Sequence, residues 1–240
     1  MARTPKPDGR KSPRGPSHET DLSRETDTRD SLDRLLVVCG AETTESDYLN
    51  GFKAALKRRT LSVRVTERPG SPSQVVQYAA KRWGGSGGEF DQVWCVVDVD
   101  AFEDLDRAQA LARREAIELA VSNPCFELWL LLHHADHRGW VAGYQALKPL
   151  LEKYAEVRPD KSVDFVRDYG GGRWEQAAKR ARELAPEHSE HENNPSTRVW
   201  RLVHTITGQC GDTPAPGGTR SRDRAEFSSG PRLHGPLTRR

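Results

Sequence analysis

Five apolar side chains in a row, Val93 to Val97, precede two aspartates in the stretch QVWCVVDVD. An apolar run that does not alternate with polar residues must be covered on both faces, which predicts an interior strand of a parallel sheet. The stretch RLLVVCG, Arg34 to Gly40, has the same character and ends in a turn. LSVRVTER alternates instead, as a half-buried or edge strand does, and AIELAVS supplies a further short strand.

Helical segments separate these runs. From Thr44 to Arg59, Tyr48, Phe52, Ala55 and Leu56 share one face, with Thr44 as the predicted N-cap. Ser71 or Ser73 caps a second helix carrying Val75, Val76, Ala79, Ala80 and Trp83, and GGSGG breaks it. A third helix runs from about Leu105 to Arg114, and NPCFELWLLLHH predicts a strongly apolar fourth that starts at Asn-Pro. The order β-α-β-α-β-α-β-α implies a parallel α/β sheet with helices on both faces and right-handed crossovers. Beyond Gly139 the pattern is helical, in WVAGYQALKPLLEKYAEV and RWEQAAKRARELA.

Composition bounds the rest. With 35% hydrophobic and 30% charged residues in 240, the chain predicts a compact centre between unstructured ends. Residues 1–31 and 211–240 have no periodicity, and the second segment is rich in arginine. The expected organisation is a tail over 1–31, an α/β core over 32–138, a helical part over 139–210 and a tail over 211–240. A net charge of +2 does not by itself argue for nucleic acid. No signal peptide is visible, and the apolar stretch FELWLLL is too short to span a bilayer, so the expected location is the cytoplasm. The four cysteines show no CxxC spacing; buried free thiols are expected at Cys39, Cys95 and Cys125, which lie in apolar contexts. His133, His134 and His137, or His188 and His191, lack the convergent ligands of a zinc site and suit helix ends and surface turns. No GxxxxGK[ST] loop is present.

Ligands of open parallel sheets bind beyond the carboxyl ends of the strands. Three groups meet there: the Gly40–Glu45 turn, Asp98 with Asp100, and Ser122-Asn123-Pro124 leading to Glu127. Two aspartates at i and i+2 leaving a strand suit a hard divalent cation such as Mg²⁺. They suit a turn equally well. Glu127, next to Phe126, Leu128 and Trp129, must be paired or face a polar cleft.

The phrases TTESDYLNGF, VWCVVDVD, SNPCFELWLLLH and NNPSTRVWRLV together resemble the RloB-like family over about Leu35 to Ile206. That resemblance implies a Toprim-like fold, a parallel sheet of about four strands flanked by helices. It further implies a Mg²⁺- or Mn²⁺-dependent nuclease acting on DNA or RNA in abortive phage defence, beside an ATPase partner of the AAA or ABC type, with no membrane and with homo-oligomerisation left open. By resemblance Asp98, Asp100 and Glu127 are metal-binding and catalytic, and Glu42 supplies an acid or base. Ser122, Asn123, Lys161 and Arg198 would contact substrate phosphate or water. The family pattern places a glutamate where this chain has Gly40, and a glycine where it has Ala41. A catalytically degenerate protein that binds nucleic acid or a partner is therefore a second reading, and a haloacid-dehalogenase-like phosphatase a remote third.

Overall fold

Apolar runs built the expected sheet. The computed structural model describes residues 32–56, 61–85, 88–99 and 102–209, all within one compact unit; the tails expected over 1–31 and 211–240 lie outside them. Four strands, β1 (Asp33–Cys39), β2 (Leu61–Glu67), β3 (Gln92–Asp98) and β4 (Glu118–Asn123), pair in parallel in the order β2-β1-β3-β4. The alternating strand β2 sits at the sheet's edge, and the non-alternating β1 and β3 sit inside it. A fifth strand of two residues, β5 (Ser196–Thr197), joins β4 antiparallel and was not apparent from its sequence. Such a bridge has too few residues to show any period; pairing with Ser122 and Asn123 alone defines it.

Helices α1 (Thr44–Ala55), α2 (Pro72–Gly84) and α3 (Leu105–Glu115) follow the first three strands. Helix α1 begins at Thr44 rather than being capped by it: the N-cap is Thr43, with φ 73°. Ser71 is the N-cap of α2; its N–H donates to Gln74 Oε1 at 3.1 Å, while its hydroxyl donates to Asp104 Oδ2 at 2.6 Å. The Asn-Pro start of the fourth helix differs from expectation. Asn123 closes β4, its bond to Pro124 is cis, and α4 spans only Glu127–Leu132. The remaining helices are α5 (Tyr144–Leu151), α6 (Arg173–Arg182) and α7 (Val199–Thr207), with a π-helical turn at Phe165–Tyr169 and a 3-10 turn at Glu190–Glu192. No described helix is long and apolar enough to cross a membrane.

The sheet separates two apolar layers. Leu36, Val38, Cys95, Val97 and Val121 face α2 and α3, where they meet Val75, Val76, Ala79 and Ala108. Leu35, Val37, Cys39, Trp94, Val96 and Ala120 face the larger layer built by α1, α4, α6 and α7. Burying each such side chain contributes about 1.5–3 kcal/mol, so the two-faced coverage fixes the register of the strands. This larger layer takes residues from both sides of Gly139, among them Phe126, Leu147, Trp174 and Val199.

Tyr48 of α1 is its aromatic centre. Its ring contacts Phe126, Trp129, His133, Phe165 and Tyr169 at centroid distances of 5.2–6.1 Å. His133 Nδ1 lies 2.9 Å from the Trp129 carbonyl, which only accepts, so Nδ1 carries the proton. Nε2 therefore accepts from the Tyr48 hydroxyl at 3.0 Å. Burial pushes the imidazole down to about 3 and keeps it neutral. This histidine is a core hydrogen-bonding group. Cys39, Cys95 and Cys125 are buried free thiols, as their apolar contexts predicted.

Candidate functional site

Alternation along the strands decides which acids meet. Asp98 lies two residues past Val96, and Glu67 two past Val65, so both point to the larger layer's side of the sheet. Ser122, two past Ala120 and in register with Asp98, shares that side. Gly40 follows Leu36 and Val38 on the other side. A Cβ there would sit 3.1 Å from the Val96 carbonyl oxygen, 3.4 Å from Val75 Cγ2 and 3.6 Å from Val97 Cγ1. Position 40 is closely filled by backbone, and its direction is toward α2.

The turn after β1 does not stay extended. Residues 40–43 bend, Thr43 takes a left-handed φ, and Thr44 N–H donates to the Glu42 carbonyl at 2.9 Å. Glu42 is left exposed to solvent. Glu45, one turn into α1, is only 2% exposed, and its Oε2 meets no hydrogen-bond partner among the described residues. Burial pushes its carboxyl up to about 7, against the pull of its own backbone N–H and of Lys161, with Glu127 and Glu67 raising it further. Glu45 and Glu67 in turn help burial hold the Cys39 thiol far above its ordinary range. Ser46 Oγ donates a short hydrogen bond to Glu67.

Glu127 opens α4 and is 6% exposed. Its Oε1 lies 3.8 Å from Lys161 Nζ, which also stands 4.1 Å from the centre of the Tyr144 ring. Thus Lys161 belongs to this group. Ser122 and Asn123 are close by in the fold but are engaged elsewhere. Ser122 Oγ lies 3.0 Å from Thr197 Oγ1, and Asn123 Nδ2 donates to the carbonyls of Glu190 and His191. Both residues are buried where they hold β5 and the 3-10 turn to β4.

Arg198 is not brought to the strand ends. Its guanidinium donates to the Leu119 carbonyl at 3.2 Å and pairs with Glu118 and Glu187, at the start of β4. Glu118 is in register with Trp94, four residues before Asp98, a separation of about 13 Å along the strand. Asp100 lies outside the described residues. Among those described, no group of three or more His, Cys, Asp or Glu side chains could hold a metal ion. Glu45, Glu67 and Glu127 are hard oxygen donors close enough to influence one another, and one Glu45 oxygen is buried without a hydrogen-bond partner among the described residues, but these three do not by themselves form a metal site.

Sequence reasoning placed Glu45 in the candidate turn without giving it a role and passed over Glu67. The signal that would have found Glu45 was its place on the helix: it precedes Leu49 and Phe52 at helical spacing, on the buried stripe. Glu67 extends the Val63, Val65 alternation of β2 by one step.

A family model described as RloB-like protein matches residues 35–206. No curated protein and no solved structure matches the chain.

Proposed function

This chain belongs to the RloB-like protein family, and from that premise we propose that it is a Toprim-type phosphodiesterase that cuts DNA or RNA in defence against phage. The observation that carries this reading is the buried Glu45 carboxyl, held near neutrality beside Glu127 and Lys161 at the carboxyl ends of the parallel strands. Strongly perturbed acids in that position are characteristic of acid–base chemistry. Asp98 and Asp100 would hold Mg²⁺ or Mn²⁺, with Glu127 as the third acid of the same edge. When bound, such a cation polarises a phosphodiester and stabilises its leaving oxygen. Glu45, its proton affinity raised to about 7 by burial, exchanges its proton around neutral pH, which suits an acid or base that takes the part Glu42 is too exposed to fill. Lys161 supplies the positive charge nearest these acids and is the residue of choice for binding a phosphate. An ATPase partner fits a chain whose sequence carries no phosphate-binding loop of its own.

The second reading, a degenerate protein that binds nucleic acid or a partner without cutting it, is favoured by Gly40. The backbone around position 40 leaves little room for a side chain, and Ser122 and Asn123 are taken up in structural hydrogen bonds.

The test is cleavage of plasmid DNA and of RNA with Mg²⁺ or Mn²⁺, with and without an added candidate ATPase partner. Cleavage that Asp98→Ala and Glu45→Gln each abolish is the expected result. Absence of cleavage on every nucleic acid, with the partner present, overturns the enzyme reading in favour of the binding one.

A further inference from the structure

Glu127 is shut in by a segment from a distant part of the chain, and the charge of that segment's Lys161 also acts on the buried Glu45. Between α5 and the π-helical turn, residues 156–164 cross the N-terminal end of α1. Two hydrogen bonds attach them there. Thr44 Oγ1 donates to the Lys161 carbonyl at 3.0 Å, and Val163 N–H donates to Asp47 Oδ2 at 3.1 Å. Lys161, in a left-handed backbone conformation with φ 58°, adds the ion pair with Glu127 and the contact with Tyr144. The other bonds of the segment are internal, as from Lys161 N–H to the Arg158 carbonyl and from Ser162 N–H and Oγ to Asp160 Oδ1, or join it to the adjacent π-helical turn, where Arg167 donates to Glu156 and, with Asp168, to Asp164. Among the described residues no backbone-to-backbone bond joins 156–164 to the sheet or to α1.

A cavity remains between the segment and the site, lined by Thr44, Glu127, Tyr144, Arg158 and Lys161. Its volume is about 20 Å³. That admits one water molecule and excludes a phosphate group. Yet an acid can transfer a proton only within hydrogen-bond reach of the reacting oxygen. With Glu127 at 6% and Glu45 at 2% exposure, no phosphodiester reaches either in this arrangement.

We propose that residues 156–164 are a latched cover over Glu127 and Glu45, which swings aside to admit a nucleic-acid phosphate while Lys161 exchanges Glu127 for that phosphate. The closed arrangement supplies its own cation, with Lys161 standing against Glu127. The segment meets α1 and Glu127 only through these polar contacts, and its Val157 and Val163 are just partly buried against the core, whereas the elements on either side are anchored by buried Leu151 and Phe165. This inference rests on reading the buried acids as the reaction site.

Hydrogen exchange and carboxyl labelling of the full chain test it without any cleavage. The peptide spanning 156–164 should exchange at least tenfold faster than β3. Thr44→Val and Asp47→Ala should each speed that exchange roughly fivefold, the worth of one net hydrogen bond. Coupling of glycine ethyl ester to Glu127 by a carbodiimide, read by peptide mass spectrometry, should rise in the same order. Lys161→Met, which leaves both latches in place, should raise that labelling as well, so the test survives if a latch variant folds poorly. Exchange of 156–164 no faster than β3 overturns the cover. So does faster exchange in the latch variants with Glu127 labelling unchanged. An opening cover in a protein that cuts nothing would instead count against the nuclease reading alone, and cutting by a protein whose cover never opens would count against the cover alone.

Discussion

Replacing Glu45 by glutamine separates what this carboxyl does for the fold from what it does for chemistry. Burial and the neighbouring Glu127 and Glu67 carboxylates raise it from an ordinary 4.5 to about 7 in the folded protein. Below pH 4.5 it is neutral in both folded and unfolded chains, and the stability tied to its proton is fully present. Between 4.5 and 7 the unfolded chain loses that proton while the folded one keeps it. Stability then falls by about 1.4 kcal/mol per pH unit, to a total loss of about 3 kcal/mol above pH 7. Glutamine has nearly the same shape and no charge to lose. Urea denaturation of both proteins at pH 5, 6, 7 and 8 should show Glu45→Gln gaining on wild type across that range, by up to about 3 kcal/mol at pH 8. Taking the difference between the two proteins removes every titration they share. A difference that stays constant from pH 5 to 8 would refute the reasoning, because it would mean Glu45 is ionised in the folded state as readily as in water. Loss of cleavage together with the gain in stability is the signature of an acid kept for function at the expense of the fold.

Other substitutions probe the scaffold that sets this geometry. A Cβ on Gly51 would overlap Phe165 Cβ and lie 3.0 Å from its Cγ; Gly51→Ala should therefore destabilise by about 1–3 kcal/mol by thermal melting, although alanine is the better helix former. Tyr48→Phe strips His133 Nε2 of its hydrogen bond from the Tyr48 hydroxyl and should cost about 1–3 kcal/mol in chemical denaturation, the penalty of an unsatisfied buried acceptor. Arg198→Met, which leaves Glu118, Glu187 and the Leu119 carbonyl without their shared cation, should lower stability by a few kcal/mol in the same assay while leaving the metal dependence of any cleavage unchanged.

The alternation of strands and helices was legible because it is local. Five apolar residues in a row at Val93–Val97 require cover on both faces wherever they sit, and the partly exposed alternation of Leu61–Glu67 suits an edge. Helix spacing around Tyr48 and Phe52 likewise states which side of α1 is buried. Where the sequence pattern was weakest, in the two residues of β5 and the late start of α4, only pairing and packing with distant segments defined the elements.

The candidate site divides along the same line. Its place, at the ends of β1, β3 and β4, follows from the parallel order and from acids that close the strands. Which acids are enclosed does not. Glu42 and Glu45 stand three residues apart in one turn, and the left-handed step at Thr43 turns the first to solvent and starts the helix that buries the second. Lys161 joins them from 116 residues beyond Glu45, carried there by a segment whose bonds to Thr44 and Asp47 are made by tertiary contact. A carboxyl's proton affinity depends on burial and on the charges within a few ångströms, and both are properties of the assembled chain. The sequence by itself determined the sheet and the edge where its strands end in acids; the tertiary structure decided that Glu45, and not Glu42, is the acid buried there with its proton affinity raised.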